Sequence, residues 1–305
     1  MRIVLFTAQD IGYQLVQFLR QQQGIETLVC TFESKNDKIN KYRSALQYCI
    51  NEDLPHRNVP KITDSLIDEI GSFAPDIILS AYYSRLFPQA LIEIPRLGVV
   101  NVHPGKLPEY RGEFPTAWAI VNGEIEFGIS LHYIDVGTDT GDILDQKTFE
   151  ILPDETGFEL YRRSMDLSAK LMINNFDSLV SGQAQAKKQQ GVGSCFGKFP
   201  SRYQIAWKNR SATVRNHVRA HAPPYFPAFS YLPTKCVLFN RVSMVDSQDY
   251  SAQGPGLVTE VLSDGRFLVS CADGCLMVEE YSIYPAVHPD ELHNYIYRGS
   301  RFVDA

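Results

Sequence analysis

VVNVHPGKLPEYRGEFPTAWAIVNGEIEFGISLHYIDVGTDTGDIL, residues 99–144, is the most informative stretch of this chain for both fold and chemistry. Its first apolar residues are typical of a buried strand and carry Asn101 and His103 two positions apart, so both side chains point to one face. A loop rich in Pro and Gly follows, then a short helix, another strand and Asp139 within GTDTGD. An amide, an imidazole and a carboxylate are a workable set for moving an acyl group onto an amine.

Strand-like and helix-like segments alternate through the first half of the chain. Apolar runs predict strands at residues 2–7, 25–32, 59–62, 76–80 and 98–103. Helical spacing predicts helices at residues 10–22, 38–50, 64–73 and 88–94, the third with Thr63 as its N-cap. Such alternation favours parallel βαβ units with right-handed crossovers. Ligands of open α/β sheets bind beyond the carboxyl ends of the strands, and His103 ends a predicted strand.

The pattern changes towards the C-terminus. Predicted strands at residues 126–134 and 142–151, a long helix at residues 156–179 and a polar connection at residues 181–197 come first. A short helix at residues 213–221 and five short apolar runs, separated by Gly, Asp and Pro, then predict a small β-barrel or sandwich. We therefore predict an α/β, Rossmann-like catalytic domain with a mostly parallel sheet at residues 1–205. A small β-rich, OB-like domain follows at residues 206–305.

The composition of the chain excludes several classes of partner and cofactor. The 305 residues carry a net charge of −6, which argues against nucleic acid or an anionic membrane as the main partner. The apolar stretch at the start is too short for a signal peptide, and no run approaches the length of a membrane span. The six cysteines are scattered without a C-x-x-C pair, so we expect free thiols, a cytoplasmic protein and no metal site. The turn TAQDIG after the first strand lacks the G-x-G-x-x-G phosphate cradle, so NAD is not implied.

The combined pattern N-x-H-P-G-x-L-P-x-Y-R-G followed by D-T-G-D-I-L is more specific than any single residue in it. It resembles the signature of the folate-dependent formyltransferases, which use 10-formyltetrahydrofolate and include enzymes acting on methionyl-tRNA, glycinamide ribonucleotide and amino sugars. The resemblance extends over nearly the whole chain, through YSRLFPQALI and through GSCFGKFPSRYQIAW and VRNHVRAHAPPYFPAFSYL. In layout and length the chain is most similar to the enzyme that formylates UDP-4-amino-4-deoxy-L-arabinose.

The resemblance implies that Asn101, His103 and Asp139 are catalytic, and physical roles for them can be stated independently. Asn101 can donate its amide N–H to the oxyanion that develops on the formyl group. His103 can take the proton of the attacking amine or, if already protonated, assist the oxyanion, and the sequence leaves both open. Asp139 can orient His103 or stabilise its charge. His132 alternates with Ser130 and Ile134, and we expect a structural role for it.

The resemblance also predicts where the two substrates bind. It places the pterin against the backbone of residues 85–87 and the loop at residues 135–139, so the predicted folate-binding residues are Arg85, Leu86, Phe87, Asp135 and Gly137. For a diphosphate-bearing acceptor, Lys106 or Arg111 could supply the cation, although both could equally be solvated loop residues. Glu113 stands where the aminoarabinose enzyme carries an arginine by family pattern, which argues against that exact substrate.

The acceptor amine is predicted from charge. Residues 206–305 hold nine Lys and Arg against ten Asp and Glu, and no Arg-rich insertion suited to an acceptor stem is visible. We therefore favour a nucleotide-linked amino sugar, as in cell-surface polysaccharide biosynthesis. Methionyl-tRNA is the alternative acceptor, and a folate-dependent formyl hydrolase is the alternative reaction. The C-terminal domain could bind nucleotide, mediate a homodimer or brace the catalytic domain.

Overall fold

The computed structural model describes residues 1–33, 42–197, 203–245 and 254–303. They form two compact units. The first comprises Met1–Pro115, Glu126–Glu150 and Tyr161–Gly197, and the second comprises Thr116–Ile125, Ile151–Leu160 and Lys198–Ala305. The domain division predicted near residue 205 stays a prediction.

A seven-stranded sheet forms the centre of the first unit. Its strands lie in the order β3-β2-β1-β4-β5-β7-β8. The first five are parallel, whereas β7 and β8 run antiparallel to their neighbours. The predicted α/β fold with a mostly parallel sheet is therefore confirmed. The strands are β1 (Arg2–Thr7), β2 (Glu26–Thr31), β3 (His56–Asn58), β4 (Ile77–Ala81), β5 (Val99–His103), β7 (Glu126–Tyr133) and β8 (Ile143–Glu150).

Helices and two very short strands complete the first part of the chain. The described helices are α1 (Gln9–Arg20), α2 (Ala45–Asn51), α3 (Asp64–Phe73), α4 (Gln89–Ile92), α5 (Pro115–Val121), α6 (Gly157–Asn174) and α7 (Phe176–Ser181). The short strands β6 (Arg111–Gly112) and β9 (Cys195–Phe196) pair in parallel with each other. Strand β4 is buried along its whole length, as expected where helices cover both faces of a parallel sheet.

Local chemistry explains most element boundaries, and three predictions need correction. Thr63 caps α3 as predicted, because its side chain accepts a hydrogen bond from the Leu66 N–H. The helix predicted at residues 156–179 is interrupted at Asn175, whose side-chain amide donates to the Leu171 carbonyl. The strand predicted at residues 59–62 is instead β3, which ends before them. The helix predicted at residues 38–50 is described only from Ala45 onward, and the residues before 42 lie outside the described part.

The second unit contains an antiparallel five-stranded sheet in the order β10-β11-β14-β13-β12. Trp207, Phe239, Phe267 and Phe302 fill the core beneath it. This confirms the predicted β-rich C-terminal domain. Its elements are α8 (Ser211–Ala220), β10 (Ala228–Leu232), β11 (Lys235–Met244), β12 (Val258–Val261), β13 (Phe267–Ser270), β14 (Cys275–Tyr284) and a 3₁₀ helix at Pro289–Asn294.

Three chemical features of the described residues bear on function. All six cysteines are free thiols. None of the described helices is both long and apolar enough to cross a bilayer. Within the same residues, no three His, Cys, Asp or Glu side chains come together as a group that could hold a metal ion.

Candidate active site

Backbone pairing of β5 with β7 brings four polar side chains onto one face of the sheet. Asn101 lies opposite His132, and His103 lies opposite Ser130. Residues two apart on a strand share a face, and directly paired residues share it across the strands. Three of the four are almost completely buried: the exposed fraction is 5% for His103, 1% for His132 and zero for Ser130. Buried polar groups at such positions need partners, and their partners define the site.

His103 has a distinct neighbour at each ring nitrogen. Its Nε2 lies 2.7 Å from the carbonyl oxygen of Tyr110. Because a carbonyl can only accept, Nε2 is assigned the hydrogen and donates it. Its Nδ1 lies 3.5 Å from Oδ2 of Asp139, which is long for a hydrogen bond but close for an electrostatic contact. In the neutral imidazole the lone pair is therefore on Nδ1, and a proton taken there would face a carboxylate.

Asp139 lies in the hairpin between β7 and β8 with its backbone in the left-handed region, at φ +52°. Its Oδ2 accepts a hydrogen bond of 2.9 Å from the Gly112 N–H. The same oxygen is the one that faces His103. The carboxylate is thus held between the loop that follows His103 and the imidazole itself.

His132 connects Asn101 to Asp139. Its Nδ1 donates to the Tyr133 carbonyl at 2.7 Å, so its Nε2 is the acceptor and receives a hydrogen bond of 3.2 Å from Nδ2 of Asn101. Burial lowers the pKa of His132, and this effect outweighs the opposing influence of Asp139, whose Oδ1 lies 3.6 Å from Nε2. A neutral His132 fixes which way the Asn101 amide points. One N–H of Asn101 is held by His132, and the described residues provide no acceptor for the second.

The His-Pro-Gly sequence is explained by the space around Gly105. A Cβ at Gly105 would lie 2.6 Å from both the His103 Nε2 and the Tyr110 carbonyl oxygen, so only glycine lets these two atoms meet. Ser130 on β7 holds the same loop in place, because its hydroxyl donates to the Gly105 carbonyl at 2.6 Å and accepts from the Leu107 N–H. Ser130 and His132 were not among the predicted site residues, although their alternation along β7 was visible in the sequence.

The segment predicted to contact folate, residues 85–87, begins a few residues after the end of β4. Arg85 donates from Nε to the Pro60 carbonyl at 3.0 Å, and Phe87 packs in the core against Phe6 with 4.9 Å between ring centroids. Leu86 between them is 76% exposed. The segment therefore exposes one apolar side chain, Leu86, beside Arg85, whose guanidinium donates to the backbone carbonyls of Pro60 and Ser84.

The second predicted folate segment is a tight turn. Asp135 Oδ1 accepts hydrogen bonds from the Gly137 N–H at 3.0 Å and from the Thr140 hydroxyl at 2.6 Å. A Cβ at Gly137 would lie 2.0 Å from the same hydroxyl, so the turn requires glycine there. This turn leads directly into Asp139.

The two cations predicted for substrate binding have partners within the protein. Lys106 forms an exposed ion pair of 2.9 Å with Glu126. Arg111 donates from Nε and Nη2 to the side-chain oxygen of Gln189, at 3.0 Å and 2.6 Å. Gln189 lies in the polar connection at residues 181–197, which carries no periodic pattern, so its approach to the site could not be predicted.

Three groups suited to acyl-group transfer thus converge: one amide N–H, one imidazole lone pair and one half-buried carboxylate. Comparison with known protein families matches residues 1–176 to the formyl transferase family and residues 199–285 to the formyl transferase C-terminal domain. The chain belongs to the formyl transferase family, whose enzymes use 10-formyltetrahydrofolate as the formyl donor.

Curated relatives and solved structures give different neighbours within this family. The chain is 34% identical to methionyl-tRNA formyltransferase of Citrifermentans bemidjiense over 221 residues, which is 71% of this chain and 67% of the relative. The N-formyltransferase of Helicobacter canadensis, solved with folinic acid and dTDP-3-aminofucose, matches with a TM-score of 0.70 at 22% identity, over 92% of this chain and 98% of that one. WlaRD, a sugar 3N-formyl transferase solved with dTDP and 5-N-formyl-THF, matches with a TM-score of 0.69 at 20% identity, over 92% and 97%.

Proposed function

We propose that this enzyme transfers the formyl group of 10-formyltetrahydrofolate to the amino group of a nucleotide-linked amino sugar. The choice of acceptor rests on one observation: arginine charges in the second unit are neutralised by neighbouring carboxylates. Four of its arginines are paired with carboxylates of the same unit, whereas a surface that binds tRNA leaves a basic field open to phosphates. The pairs are Arg210–Asp273, Arg215–Asp154, Arg241–Glu279 and Arg266–Asp264.

The donor supplies a formyl carbon activated for attack by an amine, and this chain's residues handle charge and protons around it. The backbone of residues 85–87, the exposed Leu86 and the turn at residues 135–139 would hold its ring system. Asn101 keeps one amide hydrogen on His132, and its second donates to the formyl oxygen as negative charge develops there. A donor fixed in advance contributes most, because it does not have to reorganise during the reaction.

Proton transfer is assigned to the Nδ1 atom of His103. With Nε2 held by the Tyr110 carbonyl, the lone pair on Nδ1 can take the proton that the amine loses as it attacks. The imidazolium formed is stabilised by Asp139 at 3.5 Å. His103 can then return this proton to the leaving nitrogen, so that the enzyme ends the cycle in its starting state.

A second candidate acceptor is methionyl-tRNA. The observation favouring it is that curated relatives at 31–34% identity are named methionyl-tRNA formyltransferases. A third outcome is hydrolysis, in which water takes the place of the amine; Asn101, His103 and Asp139 would serve either reaction.

One experiment separates the three. The protein is incubated with 10-formyltetrahydrofolate and, separately, with nucleotide 3-amino and 4-amino sugars, with charged initiator tRNA and with no acceptor. We expect an amino sugar to gain the mass of one formyl group, and His103→Asn to abolish that gain. Formylation of the charged tRNA alone would overturn the sugar assignment, and formate release without an acceptor, at the rate seen with one, would establish hydrolysis.

A further inference from the structure

We propose that Gln189 is a positioning residue for Asp139. It lies in residues 187–196, here named the strap, which joins the active site through Gln189, Ser194 and Phe196. The inference rests on the role in formyl transfer proposed above for His103 and Asp139. It concerns how the protein holds these groups, and it is independent of which amine is the acceptor.

The Gln189 side chain makes four hydrogen bonds, all to the site. Its Nε2 donates to the carbonyl oxygens of Asp139 and Gly141, both at 2.8 Å. Its Oε1 accepts from Nε and Nη2 of Arg111. A primary amide has two donor hydrogens and one oxygen with two lone pairs. Every hydrogen-bonding position of Gln189 is therefore used to join the Asp139 turn to the loop after His103.

The turn around Asp139 is one that needs such support. A left-handed backbone at a residue other than glycine is unfavourable and persists where surrounding contacts impose it. Asp139 has φ +52°, and a Cβ at Gly141 would lie 1.9 Å from the Tyr133 carbonyl oxygen, so the hairpin closes tightly. The Gln189 amide donates to the carbonyls of Asp139 and Gly141, which lie on either side of Thr140 in the chain. It thereby fixes the direction in which the Asp139 side chain leaves the turn.

The strap also holds the other side of the imidazole. The Tyr110 N–H donates to Ser194 Oγ at 2.9 Å, the Arg111 N–H donates to the Ser194 carbonyl, and the Glu113 N–H donates to the Phe196 carbonyl. The Tyr110 carbonyl is the acceptor for His103 Nε2. The strap thus positions the Tyr110 carbonyl, which is the partner of His103 Nε2, through Ser194. It positions Asp139, which is the neighbour of His103 Nδ1, through Gln189.

The test compares variants of two adjacent glutamines in the strap. Gln189→Leu removes all four hydrogen bonds, and Gln189→Glu keeps the acceptor for Arg111 but places a carboxylate against two carbonyl oxygens. With the acceptor found for the wild-type enzyme, we expect both variants to lower kcat at least about tenfold with KM for both substrates within about twofold. Gln190 is exposed, and Gln190→Leu and Gln190→Glu are expected to keep wild-type kcat.

A double-mutant cycle distinguishes positioning from general destabilisation. If Gln189 acts through Asp139, then Gln189→Leu has no further effect in an Asp139→Ala background. A structural role would lower the residual activity by the same factor in both backgrounds, and that result would overturn the proposal. Wild-type kcat in both Gln189 variants would also overturn it.

Hydrogen–deuterium exchange gives a readout that needs no acceptor. Peptides covering residues 135–141 are expected to exchange faster in both Gln189 variants than in the wild-type enzyme, and at the wild-type rate in the Gln190 variants. Unchanged exchange in correctly folded Gln189 variants would contradict the proposal. A wild-type enzyme that formylates no acceptor would count against the proposed function, while the exchange comparison would still decide whether Gln189 holds the turn.

Discussion

Replacing Gly105 with alanine is expected to disable the enzyme without unfolding it. The new Cβ would lie 2.6 Å from both the His103 Nε2 and the Tyr110 carbonyl oxygen, and ordinary contact begins near 3.4 Å, so these atoms must move by about 0.8 Å. That movement breaks a hydrogen bond of 2.7 Å and turns the imidazole. A displacement of about 1 Å in a reacting group can lower the rate about 100-fold, so we expect kcat to fall by about that factor.

The assay is single-turnover formyl transfer under saturating substrates, which reports the chemical step. Gly71→Ala is the matched control, because a Cβ there, on helix α3, meets no atom within 4 Å. It should stabilise the protein by about 0.5–1 kcal/mol and leave the rate unchanged. Nitrogen-15 spectra of labelled histidine would show whether His103 Nε2 still carries its hydrogen. A Gly105→Ala enzyme with wild-type kcat would refute the assignment of Tyr110 as the partner that sets the reactive nitrogen.

Two further outcomes are expected. His103→Ala and Asp139→Ala should each lower turnover at least about 100-fold in a protein with an unchanged melting temperature, and near-normal turnover in either would remove that residue from the mechanism. Burial lowers the pKa of His221 in the second unit to about 4. In the unfolded chain this histidine has its ordinary pKa near 6.5, so the unfolded chain binds the proton at a higher pH than the folded protein does. The free energy of unfolding should therefore be highest above about pH 6.5 and fall towards pH 4, by up to about 2 kcal/mol between pH 7 and pH 5. Urea unfolding followed by tryptophan fluorescence would measure this slope, and a slope unchanged in His221→Gln would rule out His221 as its source.

The sequence predicted strand β5 well because its pattern is local. The apolar run ending at His103 is a central strand buried on both faces, and β5 ends at that residue. Side-chain spacing of two then places Asn101 beside His103 without reference to the rest of the fold. The meeting with Asp139 follows from the hairpin between β7 and β8, which was also visible as two apolar runs around a turn.

Elements governed by distant or edge contacts could not be predicted in the same way. Strand β3 lies at the edge of the sheet and consists of polar, partly exposed residues, so the apolar residues after it were a misleading signal. Pro60 has no N–H for a ladder, which also argues against a strand there. The interruption at Asn175 leaves the apolar spacing intact, because the helix resumes one residue later. Gln189 joins the site through hydrogen bonds of its side chain, and no periodic pattern in the sequence indicates such bonds.

The strap has a consequence for the order in which the molecule acquires activity. It bonds to a loop that lies far back along the chain, with 84 positions separating Tyr110 from Ser194. Closing so long a loop is entropically unfavourable until both ends have a folded surface to join. The sheet can therefore assemble before the partners of the His103 ring are in place. In a refolding experiment, recovery of formyl transfer should lag behind recovery of the circular dichroism signal.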